Sequence, residues 1–156
     1  MSNPYTQSHA FPGVGLTLSI GTNASPIVYT AVGEVKNVAG PDVKTETADV
    51  TNVQSPNGVK EFKPTLTDPG EFSFTVNLVP DDPGQQDVYS ALISKTVLPF
   101  QLTYPPASLQ GSETTPALID FSGIVTQCSY DFPLEKEATI AIKIKVSGVP
   151  SFVEAH

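Results

Sequence analysis

The side chains able to do chemistry are few and scattered. The histidines, His9 and His156, stand near the two ends of the sequence, with no neighbour at a spacing that recruits a metal or completes a proton relay. Cys128 is the single cysteine. It can form no internal disulfide, and in strand-like sequence with no histidine nearby it reads as a packing residue rather than a nucleophile. Glu135 and Glu137 flank Lys136, but acid-base work needs one carboxylate desolvated, and a Glu-Lys-Glu turn leaves both in water. Metal ligation by Asp81, Asp82 and Asp87 would require carboxylates converging from several elements; at a helix start they read as capping and dipole compensation. There is no Gly-rich phosphate loop after a strand, no nucleophile elbow, no HExxH and no CxxC. The expectation is no catalytic residue, no metal site and no cofactor, hence not an enzyme.

Composition narrows the classes further. At 156 residues the chain fits one domain with a sizeable core. Its many prolines and glycines, with frequent Val, Ile, Thr and Phe, favour strands and turns over helices. All eight basic residues are lysines against sixteen acids, so tight phosphate binding lacks both the charge and the bidentate donor it ordinarily uses. Lys143 and Lys145 share one polar strand face, too weak a patch for nucleic acid. The start, MSNPYTQSHAF, has neither the basic beginning nor the apolar centre of a secretory signal, and no apolar run approaches a membrane span. Folding in a reducing cytoplasm follows.

The elements that must position these residues are mostly strands. Val14, Leu16, Leu18 and Ile20 alternate with small or polar residues, a turn follows at residues 21–26, and residues 27–35 resume as strand. Phe72 to Leu78, Leu98 to Tyr104 and Ile140 to Val146 repeat the design of a bulky apolar face and a small polar one. In residues 117–132 the apolar set changes parity near Gly123, which predicts a bulge or bend there. One helix is expected over residues 83–96: Asp82 as N-cap, Pro83 at the first position, Gln85 at the third, and Val88, Leu92 and Ile93 on one face.

Residues 33–83 are long, polar and punctuated by regular turn signals. A turn at Ala39-Gly40-Pro41, strand-like residues 43–53, a turn at residues 55–58 and a return over residues 59–62 read as a projecting β-hairpin or an ordered loop. A two-stranded hairpin alone in water is marginal, which predicts that order here comes from a neighbouring subunit. The alternative is a mobile surface loop.

Gly33-Glu34-Val35, Gly40-Pro41, Glu46, Asp49-Val50-Thr51, Ser55, Gly58, Glu61-Phe62, Pro64, Leu66, Asp68 and Gly70-Glu71 leading into Phe72 and Phe74 resemble, in order, the motif series of the lambda-like siphophage major tail tube proteins. Pro80-Asp81 before a short helix and the late strand over residues 140–146 also fit. Thr65 departs from the pattern, which commonly has glycine at that step, and puts the local loop geometry in question.

The resemblance implies a mainly β, sandwich- or barrel-like tail tube fold with one short flanking helix and a long projecting loop or hairpin. It implies six-fold rings stacked into a hollow tube around a tape measure protein, with a tail tip or initiator complex and a tail terminator as further partners. Double-stranded DNA would pass through without tight binding, in a virion tail assembled in the host bacterial cytoplasm. On that basis residues 37–69 are the expected stacking loop, with Asp42, Lys44, Glu46, Asp49, Asn57, Lys60, Glu61 and Phe62 as inter-ring contacts. Ser73, Thr75, Asn77, Thr139, Ala141 and Lys143 are lumen candidates, and residues 1–13 and 148–156 are bridging arms. Two other classes compete: a tube component of a contractile tail or secretion machine, and a β-sandwich decoration or binding module. The dispersal of Tyr5, Tyr29, Tyr89, Tyr104 and Tyr130 along the sequence argues against the last.

Overall fold

The computed structural model describes residues 10–156; His9, Tyr5 and most of the expected N-terminal arm lie outside the described residues. Nine strands and one helix follow in the order β1 (Thr17–Gly21), β2 (Tyr29–Val32), β3 (Val35–Ala39), β4 (Lys44–Asp49), β5 (Phe62–Asp68), β6 (Glu71–Asn77), α1 (Pro83–Ser94), β7 (Leu98–Thr103), β8 (Leu118–Asp131) and β9 (Thr139–Val153). Seven strands form one antiparallel sheet in the order β2-β1-β7-β8-β9-β6-β3, while β4 and β5 pair only with each other. The fold is mainly β with one flanking helix and a projecting hairpin, as the sequence predicts.

The two edge strands of the large sheet, β2 and β3, are consecutive in the chain, joined only by Gly33 and Glu34. Strands of a flat seven-stranded sheet would put those edges about 29 Å apart, whereas three peptide steps reach about 11 Å. The sheet must therefore curl on itself, barrel-like. Its concave face holds the core, in which Phe72, Phe100, Ile144 and Val76 are at most 1% exposed. Phe121 stacks on both Phe72 and Phe100, at centroid separations of 4.2 and 5.4 Å, a geometry that adds to simple burial.

Helix α1 lies against β1, β2 and β8 and ties the seam between the sheet edges. The Asp82 carboxylate caps the helix by accepting from the Gln85 N–H at 2.9 Å and also accepts from the Gly33 N–H at 3.1 Å. Gln85 is buried, yet each of its polar atoms is bonded: its amide donates to the carbonyls of Gly33 and Asn77 and its Oε1 accepts from the Val79 N–H. Buried polar groups are tolerated on that condition. Gly84 has no room for a Cβ, which would run into the Ala31 carbonyl.

Several boundaries differ from expectation. The first strand begins at Thr17 because Gly13 to Leu16 form a turn, closed by the Leu16 N–H on the Gly13 carbonyl. The strand expected over residues 27–35 is interrupted at Gly33, whose N–H goes to Asp82 instead of a ladder. The helix stops at Ser94, since Lys95 adopts a left-handed conformation. In β8, Ile119, Phe121, Gly123 and Val125 all face inward, so the parity change is not at Gly123. The bulge or bend expected there does occur beside this residue, since the β8–β9 register shifts on both sides of it, between Asp120 and Ser122 and between Val125 and Gln127, while Gly123 is small because a Cβ there would meet Ile144 and the Lys145 carbonyl. Strand β9 continues well beyond Val146: residues after a second register shift pair with Leu118 to Asp120 of β8. The expected arm over residues 148–156 is thus strand as far as Val153, and His156 exchanges backbone hydrogen bonds with Thr115.

Candidate functional site

Two surfaces gather the residues singled out by sequence. The first is the β4–β5 hairpin, every residue of whose strands is exposed. Strand β4 ends at Asp49 and the return strand is Phe62–Asp68, beginning where the sequence reading placed its end. The base is clasped: Gly40, at φ +114°, abuts the Glu71 carbonyl and Gly70, at φ +77°, abuts that of Asp42, so neither position accepts a Cβ. Asp68 accepts from the Gly70 N–H at 2.9 Å and from the Lys145 ammonium of β9 at 3.1 Å. These two donors hold its carboxyl below the usual carboxylate range. Lys44 pairs with Asp42 at 2.8 Å, and Thr65 donates to the Glu46 carbonyl where the β4–β5 register shifts. The hydroxyl of Thr65 thereby supports the very step at which the resemblance departs.

The connecting residues 50–61 carry their own polar scaffold. Asp49 accepts from the Thr51 N–H at 2.9 Å, and Thr51, through its hydroxyl first and its N–H second, keeps that carboxyl below the usual range. The Glu61 N–H donates to the Thr51 hydroxyl, and the Ser55 hydroxyl donates to the Glu61 carboxylate at 2.8 Å. Asn52 accepts from the Gln54 N–H, and Asn57 turns the tip at φ +55°. The expectation that this segment takes its shape only from a neighbour is corrected: short side-chain-to-backbone bonds of the Asx and Ser/Thr type define it locally. What it lacks is burial. Phe62 and Leu66 are 56% and 77% exposed, and Lys60 extends the same polar strand approach.

The second surface is the convex face of β6 and β9. Ser73, Thr75 and Asn77 stand directly opposite Lys143, Ala141 and Thr139, and the row continues into β8 through Gln127, Ser129 and Asp131. The six lumen candidates therefore form one contiguous patch, of small side chains except for Lys143. Asn77 donates to the Glu34 carboxylate at 3.1 Å, while its Oδ1 is buried without a partner.

Neither surface offers reactive groups. Cys128 is half-buried, packed against the core, and burial pushes its thiol up, which disfavours the thiolate. Among the described residues no three His, Cys, Asp or Glu side chains come within reach of one metal ion, and no helix is long and apolar enough to cross a membrane.

Solved structures share this architecture at low identity. The tail of an empty GTA particle, refined with C6 symmetry, matches with a TM-score of 0.69 and 16% identity, over 92% of this chain and 99% of that one. The SPP1 tail tube matches with a TM-score of 0.69 and 12% identity, over 93% and 80% of the two chains. The sheath-tube complex of an extracellular contractile injection system (PVC) matches with a TM-score of 0.66 and 12% identity, over 98% and 99%. At such identities the likeness is one of fold. No curated protein matches the chain. The profile of the lambda phage tail tube protein, TTP, matches residues 17–153, and the chain accordingly belongs to the lambda phage tail tube protein family.

Proposed function

We propose that this tail tube protein polymerises as stacked hexameric rings into the hollow tube of a long, non-contractile bacteriophage tail, and that the tube is the conduit for DNA ejection. The observation that carries this reading is the hairpin: an ordered, wholly solvated finger with exposed Phe62 and Leu66 has no use within its own subunit. Docked on the adjacent ring, through Asp42, Lys44, Glu46, Asp49, Asn57, Lys60, Glu61 and Phe62, that apolar surface is covered. The convex patch of Ser73, Thr75, Asn77, Thr139 and Lys143 lines the lumen in this reading. With a net charge of −8 and no arginine, the wall lets duplex slide. A tape measure protein occupies the channel during assembly in the host cytoplasm, an initiator complex starts the tube and a terminator closes it. Deleting residues 54–60 tests the role of the finger: a folded monomer that forms no tubes by negative-stain electron microscopy is expected, and tubes of normal length would overturn it.

A second reading, a tube within a contractile machine, is favoured by the fold shared with the contractile injection system. It requires an exterior that binds a sheath, and co-sedimentation of assembled tubes with sheath protein separates the two.

A further inference from the structure

Beyond the Val125 to Gln127 register shift, the concave face of β8 continues as Cys128 and Tyr130, past the point where the core is fully covered, and Phe132 follows just after the strand ends. Tyr130 and Phe132 stack with centroids 6.3 Å apart and remain 44% and 67% exposed. Across from them stands Tyr89 of α1. Together with Leu78, Pro80 and Tyr130 it lines a cleft of about 290 Å³ between the helix and the sheet. This cleft sits at the Asn77 end of β6, whereas the hairpin leaves the body at the Glu71 end. Seven strand residues, about 20 Å, separate them.

Finger and cleft match in chemistry as well as in placement. Phe62 and Pro64, paired opposite Asp49 and Thr47, share one face of β5, and the register shift that follows breaks the alternation before Leu66. Lys60 and Lys63 flank Phe62 and make no ion pair among the described residues. Acids gather at the same end of the molecule: Asp81 follows Pro80 of the cleft, and Glu135 and Glu137 lie in the β8–β9 turn, next to Thr139, the partner of Asn77. We propose that the Phe62-Pro64 face of one copy seats in the Tyr89 and Tyr130 cleft of a second copy, with Phe132, stacked on Tyr130, at its edge. A finger at one end and its receptor at the other make a heterologous contact, which does not close on itself and so propagates as a stack. The proposal rests on the hairpin being the stacking element and names its receptor.

The test uses full-length protein assembled into tubes. In a Cys128→Ser background, Phe62→Cys with Tyr89→Cys is expected to give a ladder of disulfide-linked chains on oxidation, while Phe62→Cys with Ser129→Cys, on the convex face, gives none. Tyr89→Asp with Phe132→Asp, both exposed, is expected to lower tube yield by about tenfold or more, as truncation of aromatic anchors does, with an unchanged melting temperature. Normal tubes from that variant, or no ladder in normal tubes, overturn the receptor assignment. If deletion of residues 54–60 still blocks assembly in that case, the stacking role of the finger survives; if it does not, both fall.

Discussion

The body and the hairpin are held together by different physics. In the body, order comes from burial: Phe72, Phe100 and Phe121 stack within a curled sheet whose apolar face is almost fully removed from water. In the hairpin no strand residue is buried, and shape comes from hydrogen bonds a few residues long, such as Ser55 to Glu61 and Thr51 to Asp49. Non-directional burial fixes a fold cooperatively, whereas local polar bonds compete with water and fix geometry at small net gain. The contrast teaches that the finger is shaped but weakly stabilised, which suits a part that completes its packing on a partner.

The sharpest way to break the comparison is Phe100→Ala. It should destabilise the body by about 3–5 kcal/mol in urea unfolding, and a cost below about 1 kcal/mol would show that burial does not govern the body. Next comes Gln85→Leu, which strands the Gly33 and Asn77 carbonyls and the Val79 N–H. A loss of about 2–3 kcal/mol is expected, with faster hydrogen exchange at Val79; no loss would mean that water replaces the amide at the seam. The smallest effect concerns the hairpin base. Because the folded carboxyl of Asp68 titrates below its unfolded value, its contribution is present above about pH 4 and is lost as pH falls through the lower folded value. Acid titration followed by the NMR shift of the Gly70 amide should show this step with the body still folded, and Asp68→Asn should abolish it.

Sequence and structure agree where the signal is local. Asp82-Pro83 with Gln85 reads as a helix start because capping is written within four residues. Period-two alternation gives β6, β7 and the first half of β9 for the same reason. The seam is illegible because Gln85 bonds to Gly33 across 52 positions. The end of β9 hides behind Gly148 and Pro150, which read as a break but sit in a register shift. The dense Thr, Asn and Ser of residues 51–57 did hold the signal for a self-shaped tip, which the scarcity of apolar residues masked. The tyrosines are scattered in sequence, yet the fold brings Tyr89 and Tyr130 to one cleft, where burial first, then Cys128 and then Tyr89 push the Tyr130 hydroxyl above its usual range.

The clasp of Gly40 on Glu71 and Gly70 on Asp42 fixes where the chain departs from and rejoins the sheet. Everything beyond that gate can drift independently: doubling the length of a solvated excursion adds only about 0.6 kcal/mol of closure entropy. Changes of length or sequence in this excursion can therefore leave the scaffold beneath it undisturbed, although it makes up some thirty residues, about a fifth of the polypeptide.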